Sequence, residues 1–148
     1  MDPAEYSEIK SWAEGFSGEV DYVDFLTKSS TLGEWLAMSH VLWPRFVVHR
    51  GCVLWERAYD PDGFDAWYRH FDGDARSIEP MINRLVLGDV IDCGGSPEDH
   101  AALKDIADTV GNAWCAALST AYPDRTFDVI VDDTDDGPVV SFAAAPLE

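Results

Sequence analysis

The sequence has few cysteines and no long apolar run. Its three cysteines, Cys52, Cys93 and Cys115, are odd in number and contain no C-x-x-C pair, so neither a disulfide framework nor a thiolate zinc site is indicated. No stretch approaches the roughly 18 apolar residues of a transmembrane helix. The first residues also lack the basic and apolar regions of a signal peptide. We therefore expect a cytoplasmic protein that makes no membrane contact.

Positive charge is also scarce. Ten Lys and Arg residues stand against 28 Asp and Glu residues, which gives a formal charge of −18 and a pI near 4.2. Such a charge repels phosphate groups and disfavours binding to nucleic acid or anionic lipid. The hydrophobic fraction of 47% and the six Trp residues are too high for a disordered acidic tail. We expect one globular domain over residues 1–148, in which Leu147-Glu148 is interpreted as a possible cloning remnant.

Motifs for catalysis or cofactor binding are missing. There is no glycine-rich phosphate loop, and the four histidines form no zinc-binding pair. The acidic segment 132–137 resembles the start of a calcium loop, but Thr134 stands at position three, where the pattern has Asp or Asn, and Ala143 stands at position twelve, where a bidentate Glu would close the site. Cys93 precedes the start of a helix, yet its acidic neighbours disfavour a thiolate. We expect no metal and no cofactor, and these absences disfavour an enzymatic role without excluding it.

Capping signals and apolar periodicity predict four to five helices. The first begins at Asp2 and is expected to end at Gly18. The second carries a helical stripe of Leu32, Trp35, Leu36 and Ser39 and must stop at Pro44. A third helix follows the turn 60–63, where Asp62 is the expected N-cap, and a fourth runs from about residue 77 to Gly88. The longest helix spans about 97–121, with Ser96 as its N-cap.

Two segments have the alternating pattern of β-hairpins. Residues 46–56 are β-branched and aromatic around Arg50-Gly51, and residues 126–143 alternate around an acidic turn. Together with the helices, the two hairpins predict an α+β domain in which a small antiparallel sheet packs against the long helix.

The middle of the chain differs from its ends. Residues 45–93 hold nine acids and six of the seven arginines, whereas residues 94–148 hold eleven acids and two bases. We expect most of these arginines to pair with nearby acids, including Glu79. The alternative is a pocket for a carboxylate or phosphate. Its candidate residues are Arg45, His49, Arg50, Trp55 and Trp67.

Aromatic residues are dense between positions 35 and 71. They include Trp35, Trp43, Trp55, Trp67, Tyr68 and Phe71. Aromatic residues at such spacing usually belong to the core. If some of them are exposed, they form an apolar patch that is typical of a protein–protein interface.

These observations favour an acidic protein-binding domain. Its most concrete form is an inhibitor or immunity-type protein that neutralises a basic partner such as a toxin or nuclease. The candidate contact residues are Asp128, Asp132, Asp133, Asp135 and Asp136. One alternative is an enzyme or small-anion-binding domain that uses the middle segment. Another is a subunit of a larger assembly, including a homodimer.

Overall fold

A 25-residue helix, α7, runs from Pro97 to Ala121 and packs against the larger of two antiparallel sheets. The computed structural model describes residues 1–146, so the possible remnant Leu147-Glu148 lies outside the described residues. The helix begins as predicted, with Ser96 and Asp99 forming a capping box and Pro97 in the first turn. Its buried face centres on Trp114, which has no solvent exposure.

Six further α-helices are found in the described residues. Their bounds are α1 Ser7–Glu14, α2 Tyr22–Ser29, α3 Leu32–Leu42, α4 Pro61–His70, α5 Ala75–Ile82 and α6 Leu87–Val90. Short 3-10 turns cover Pro3–Glu5 and Glu56–Ala58. Asp2 caps the first turn as expected, but α1 ends before the predicted Gly18 because the chain turns at Gly15. The cap of α4 is Asp60, not Asp62, and α2, capped by Asp21, was not predicted.

The predicted α+β fold is confirmed, but the strands form two separate antiparallel sheets instead of the one sheet that was expected from the two hairpins. Their bounds are β1 Phe46–His49, β2 Cys52–Trp55, β3 Arg84–Val86, β4 Phe127–Thr134 and β5 Gly137–Ala144. The predicted hairpins are β1–β2 and β4–β5, and each belongs to its own sheet. In the first, Arg50 and Gly51 both have positive φ angles, as a tight two-residue hairpin turn requires.

The third strand of the larger sheet replaces the end of a predicted helix. Helix α5 stops at Ile82, and residues 84–86 pair with β5 in the order β3-β5-β4. The prediction of a helix to Gly88 was therefore wrong. Leu85 is buried in both arrangements, but here it lies opposite Val140 in the sheet.

Two polar side chains, Glu79 of α5 and Asn83 directly after this helix, connect the two sheets. Glu79 accepts hydrogen bonds from the backbone N–H of Val53, at 2.8 Å, and from that of Ala144. Asn83 accepts a bond from the N–H of Trp55 at 2.8 Å and donates to the carbonyl of Val53 at the same distance. Both side chains are fully buried. The expectation that Glu79 pairs with arginine was wrong, because its partners are backbone N–H groups.

Helix α7 packs closely on the larger sheet at a glycine. A Cβ atom on Gly111 would lie 2.9 Å from Cγ2 of Val131 on β4. On β4, Phe127, Val129 and Val131 are half-buried, while Asp128, Ile130 and Asp132 are exposed. The alternation predicted for this strand is therefore confirmed.

Candidate functional site

Helix α3 carries the apolar stripe that the sequence predicts, but the stripe faces solvent. Its residues recur at the three- and four-residue steps of one helix face. The most exposed large side chains of this segment are Leu32 at 87%, Leu36 at 61%, Trp43 at 52% and Trp35 at 48%. Leu42 is exposed as well. We call Leu32, Trp35, Leu36, Leu42 and Trp43 the α3 stripe. The expectation that Trp35 and Trp43 belong to the core was wrong.

Helix α3 is attached to the body near its C-terminal end, since every residue from Leu32 to His40 is exposed. Val41 is half-buried and packs against the main core cluster. The backbone carbonyl of Val41 accepts a 2.8 Å hydrogen bond from Nε1 of Trp114 on α7. Val41 and the α3 stripe therefore lie on different faces of the helix, and the attachment leaves the stripe free.

The other aromatic residues named for the middle segment are buried or half-buried. Trp55 belongs to the main core, where its ring meets that of Trp114 edge-on at 5.1 Å. Trp67, Tyr68 and Phe71 are half-buried around a second core cluster that includes Phe64. The prediction of aromatic core residues is thus confirmed for Trp55 and, in part, for these three.

A cleft of about 450 Å³ lies beside α3. One wall consists of Ala37, His40 and Val41 from α3, and the other consists of Arg45, Trp55, Glu56 and Arg57. The two strand ends bring the second wall together, because the N–H of Glu56 donates to the carbonyl of Arg45 at 2.9 Å. The guanidinium carbon of Arg57 lies 5.2 Å from the ring centre of Trp55. We call this space the Arg45–Arg57 cleft.

The structure divides the anion pocket that was predicted from the sequence. Arg45 and Trp55 line the Arg45–Arg57 cleft, but the other three residues lie elsewhere. His49 packs on Tyr59 and Phe64. Arg50 lies 3.6 Å from a carboxylate oxygen of Asp65, and Trp67 stacks on Phe71. His49 and Arg50 stand at the turn end of the β1–β2 hairpin, whereas Arg45 and Trp55 stand at its open end.

The predicted acidic contact residues lie together on one edge of the larger sheet. Strand β4 is an edge strand of this sheet, and it carries Asp128, Asp132 and Asp133. Asp135 and Asp136 occupy the following turn, and all five side chains are exposed. Of these five side chains, only that of Asp128 forms an ion pair with another described residue, Arg76, at 3.3 Å. We call these five residues the acidic edge.

Few of the arginines form the expected ion pairs. Among residues 1–146, Arg50 pairs with Asp65 and Arg76 with Asp128, whereas Arg45, Arg57 and Arg84 have no carboxylate oxygen within 4.0 Å. The ion pair of Arg76 joins the middle segment to β4 and not to an acid of its own segment.

Titratable and nucleophilic side chains also occur outside the α3 stripe, the Arg45–Arg57 cleft and the acidic edge. The hydroxyl of Tyr6 donates to Asp99 at 2.8 Å. This bond raises the pKa of Tyr6 to about 12 and lowers the pKa of Asp99. Burial raises the pKa of the Cys52 thiol to about 11, while Cys93 and Cys115 are exposed.

Within the described part of the chain, no group of three potential metal ligands occurs. None of the helices within residues 1–146 has the length and apolar character that a membrane crossing requires.

Comparisons of the chain with protein-family models, curated proteins and solved structures found no match. The candidate site rests on geometry alone: it consists of the exposed α3 stripe and the adjoining Arg45–Arg57 cleft. The sequence indicated the stripe but not its direction. The sequence did not predict that His40 and Arg57 line one cleft, because the two residues are separated by 16 residues that include strands β1 and β2.

Proposed function

We propose that the chain is a protein-binding domain of the inhibitor or immunity type, and that its partner is basic. The observation that carries the proposal is the outward direction of the α3 stripe. Single exposed apolar residues are ordinary on a protein surface, but contiguous apolar patches typically mark an interaction site. Two half-exposed Trp side chains in one such patch are the residue type that most often dominates binding energy.

The net charge supports a basic partner over a second copy of this chain. Two molecules that each carry a charge of −18 repel one another. A basic protein is attracted from a distance, and electrostatic steering of this kind raises the association rate. Because no charged residue belongs to the α3 stripe, its burial would not remove a charge from water.

The acidic edge fits the steering role in this proposal. Four of its five carboxylates have no cation within 4.0 Å among the described residues. Their field therefore reaches solvent without a local partner to neutralise it. We expect these residues to act mainly on the association rate, whereas the α3 stripe acts on the dissociation rate.

Site-specific photo-crosslinking in the organism of origin tests the proposal. A photoreactive amino acid replaces Leu36 in the α3 stripe, and a matched variant carries it at Ser119, which is exposed on α7. The expected result is an adduct with one basic protein at position 36 and none at position 119. An adduct between two copies of this chain, or no adduct at position 36, would overturn the proposal.

Kinetics with the purified crosslinked partner then separate the two surfaces. Leu36→Ser should raise the dissociation rate about tenfold or more, as loss of a central apolar contact does. Asparagine at positions 132, 133, 135 and 136 should lower the association rate and weaken its dependence on salt. If the asparagine variant leaves the salt dependence unchanged, the steering role of the acidic edge is wrong.

A further inference from the structure

The Arg45–Arg57 cleft has the character of a small-molecule site. This character does not depend on the protein partner proposed above. Its volume of about 450 Å³ falls in the usual range for ligand pockets. Ala37, Val41 and Trp55 make part of the lining apolar, and the charged residues stand at the open end of the β1–β2 hairpin. Apolar walls with a few charged groups are the usual composition of such sites.

The charge of the cleft contrasts with that of the whole chain. Two arginines line it, in a protein with almost three acids for each base. Glu56 lines the same cleft, yet no carboxylate oxygen among residues 1–146 lies within 4.0 Å of either guanidinium group. Arg57 is positioned by the Trp55 ring instead. The hydrogen-bond donors of both arginines therefore remain available to an anion.

We propose that the Arg45–Arg57 cleft binds a small organic anion that carries a carboxylate or phosphate group on an apolar body. Arginine binds both anions through paired N–H donors, which gives a stronger contact than a neutral hydrogen bond. The apolar body lies against Ala37, Val41 and the edge of Trp55. Arg84 is also unpaired among the described residues, but it is exposed on β3 and does not line this cleft.

Titration of the full chain by NMR tests this site. The probes are phenyl phosphate and benzoate, with benzyl alcohol as the uncharged analogue. The readouts are the indole N–H signal of Trp55 and the Nε signal of Arg57. We expect saturable shifts of both signals with at least one of the two anions, and weaker or no shifts with benzyl alcohol. Comparison of the two anions shows whether the site prefers phosphate or carboxylate.

Charge-matched variants separate a local site from the general field of the protein. Arg57→Gln and Arg45→Gln should each weaken anion binding about tenfold or more. Arg84→Gln changes the net charge equally and should alter binding by less than about twofold. Equal effects of Arg57→Gln and Arg84→Gln would overturn the proposal. So would binding of benzyl alcohol as tight as that of the anions, or no saturation up to about 10 mM. These outcomes do not depend on whether the α3 stripe binds a protein.

Discussion

Replacement of Glu79 by glutamine tests how the two sheets are held together. The two carboxylate oxygens of Glu79 each accept a hydrogen bond from a different strand, from Val53 on β2 and from Ala144 on β5. Glutamine has one acceptor oxygen and one NH₂ group, which only donates. In the variant, the NH₂ group must therefore face one of the two backbone N–H donors.

The expected loss follows from this conflict between donors. A buried N–H without an acceptor costs about 1–3 kcal/mol, and Glu79 is fully buried. Glutamine also removes a buried charge, and this relief of desolvation opposes the loss. We expect the conflict to prevail, so that Glu79→Gln lowers the free energy of unfolding at pH 7 by about 1–3 kcal/mol. For a domain of this size, the Tm should fall by roughly 3–10 °C.

The pH dependence supplies an independent check. Desolvation raises the pKa of Glu79 above its ordinary value, although the two backbone hydrogen bonds oppose this shift. A carboxyl group with a raised folded-state pKa binds protons more tightly in the folded protein than in the unfolded chain. Its contribution to stability is therefore complete below the unfolded pKa and is lost as pH rises through the folded pKa. Because glutamine does not titrate, the stability difference between wild type and Glu79→Gln should grow as pH falls from 7 toward the unfolded value.

Urea unfolding at several pH values, followed by circular dichroism, measures both effects. Glu14→Gln is the matched control, because Glu14 is exposed and the variant loses the same charge. The control should change stability by less than about 0.5 kcal/mol. A stabilised Glu79→Gln variant would refute the donor conflict. A stability difference that shrinks as pH falls would show that the two N–H donors outweigh desolvation.

Two further predictions concern helix α7. Gly111→Ala should lower the free energy of unfolding by about 1–3 kcal/mol, because the new Cβ would stand 2.9 Å from Cγ2 of Val131; calorimetry checks this against Asn112→Ala, and a stable Gly111→Ala protein would contradict the close packing. Trp114→Phe removes the hydrogen bond to the carbonyl of Val41. It should cost about 1–3 kcal/mol and accelerate hydrogen exchange in α3, whereas unchanged exchange in α3 would show that this bond does not hold the helix.

The features that the sequence predicts best are those with strong local signals. Helix α7 has a capping box, a proline in its first turn and a 25-residue amphipathic pattern, so its bounds follow from adjacent residues. Strand β4 alternates and leads into a polar turn, and Arg50-Gly51 supplies the positive φ angles of the other hairpin. In each case, the residues that determine the element lie within it.

The features that the sequence misses depend on distant partners. Residues 84–86 form a strand because β5 offers them backbone hydrogen bonds, although their apolar pattern also fits a helix. Glu79 resembles any surface acid in sequence, and its partners Val53 and Ala144 are 26 and 65 residues away. The Arg45–Arg57 cleft likewise requires the meeting of α3 with the end of β2. No local pattern records such long-range contacts.

The α3 stripe has the apolar periodicity of a helix face that packs on a core, yet it faces solvent. A helix that needs its apolar face only for folding turns that face toward the core. Helix α3 meets the core through Val41 and the bond from Trp114, so the stripe is not used in this attachment. Exposed Trp and Leu residues also promote aggregation, and a high net charge counteracts it. The −18 charge and the exposed stripe are therefore consistent with the proposed function, in which the charge would keep copies apart until a basic partner covers the apolar surface.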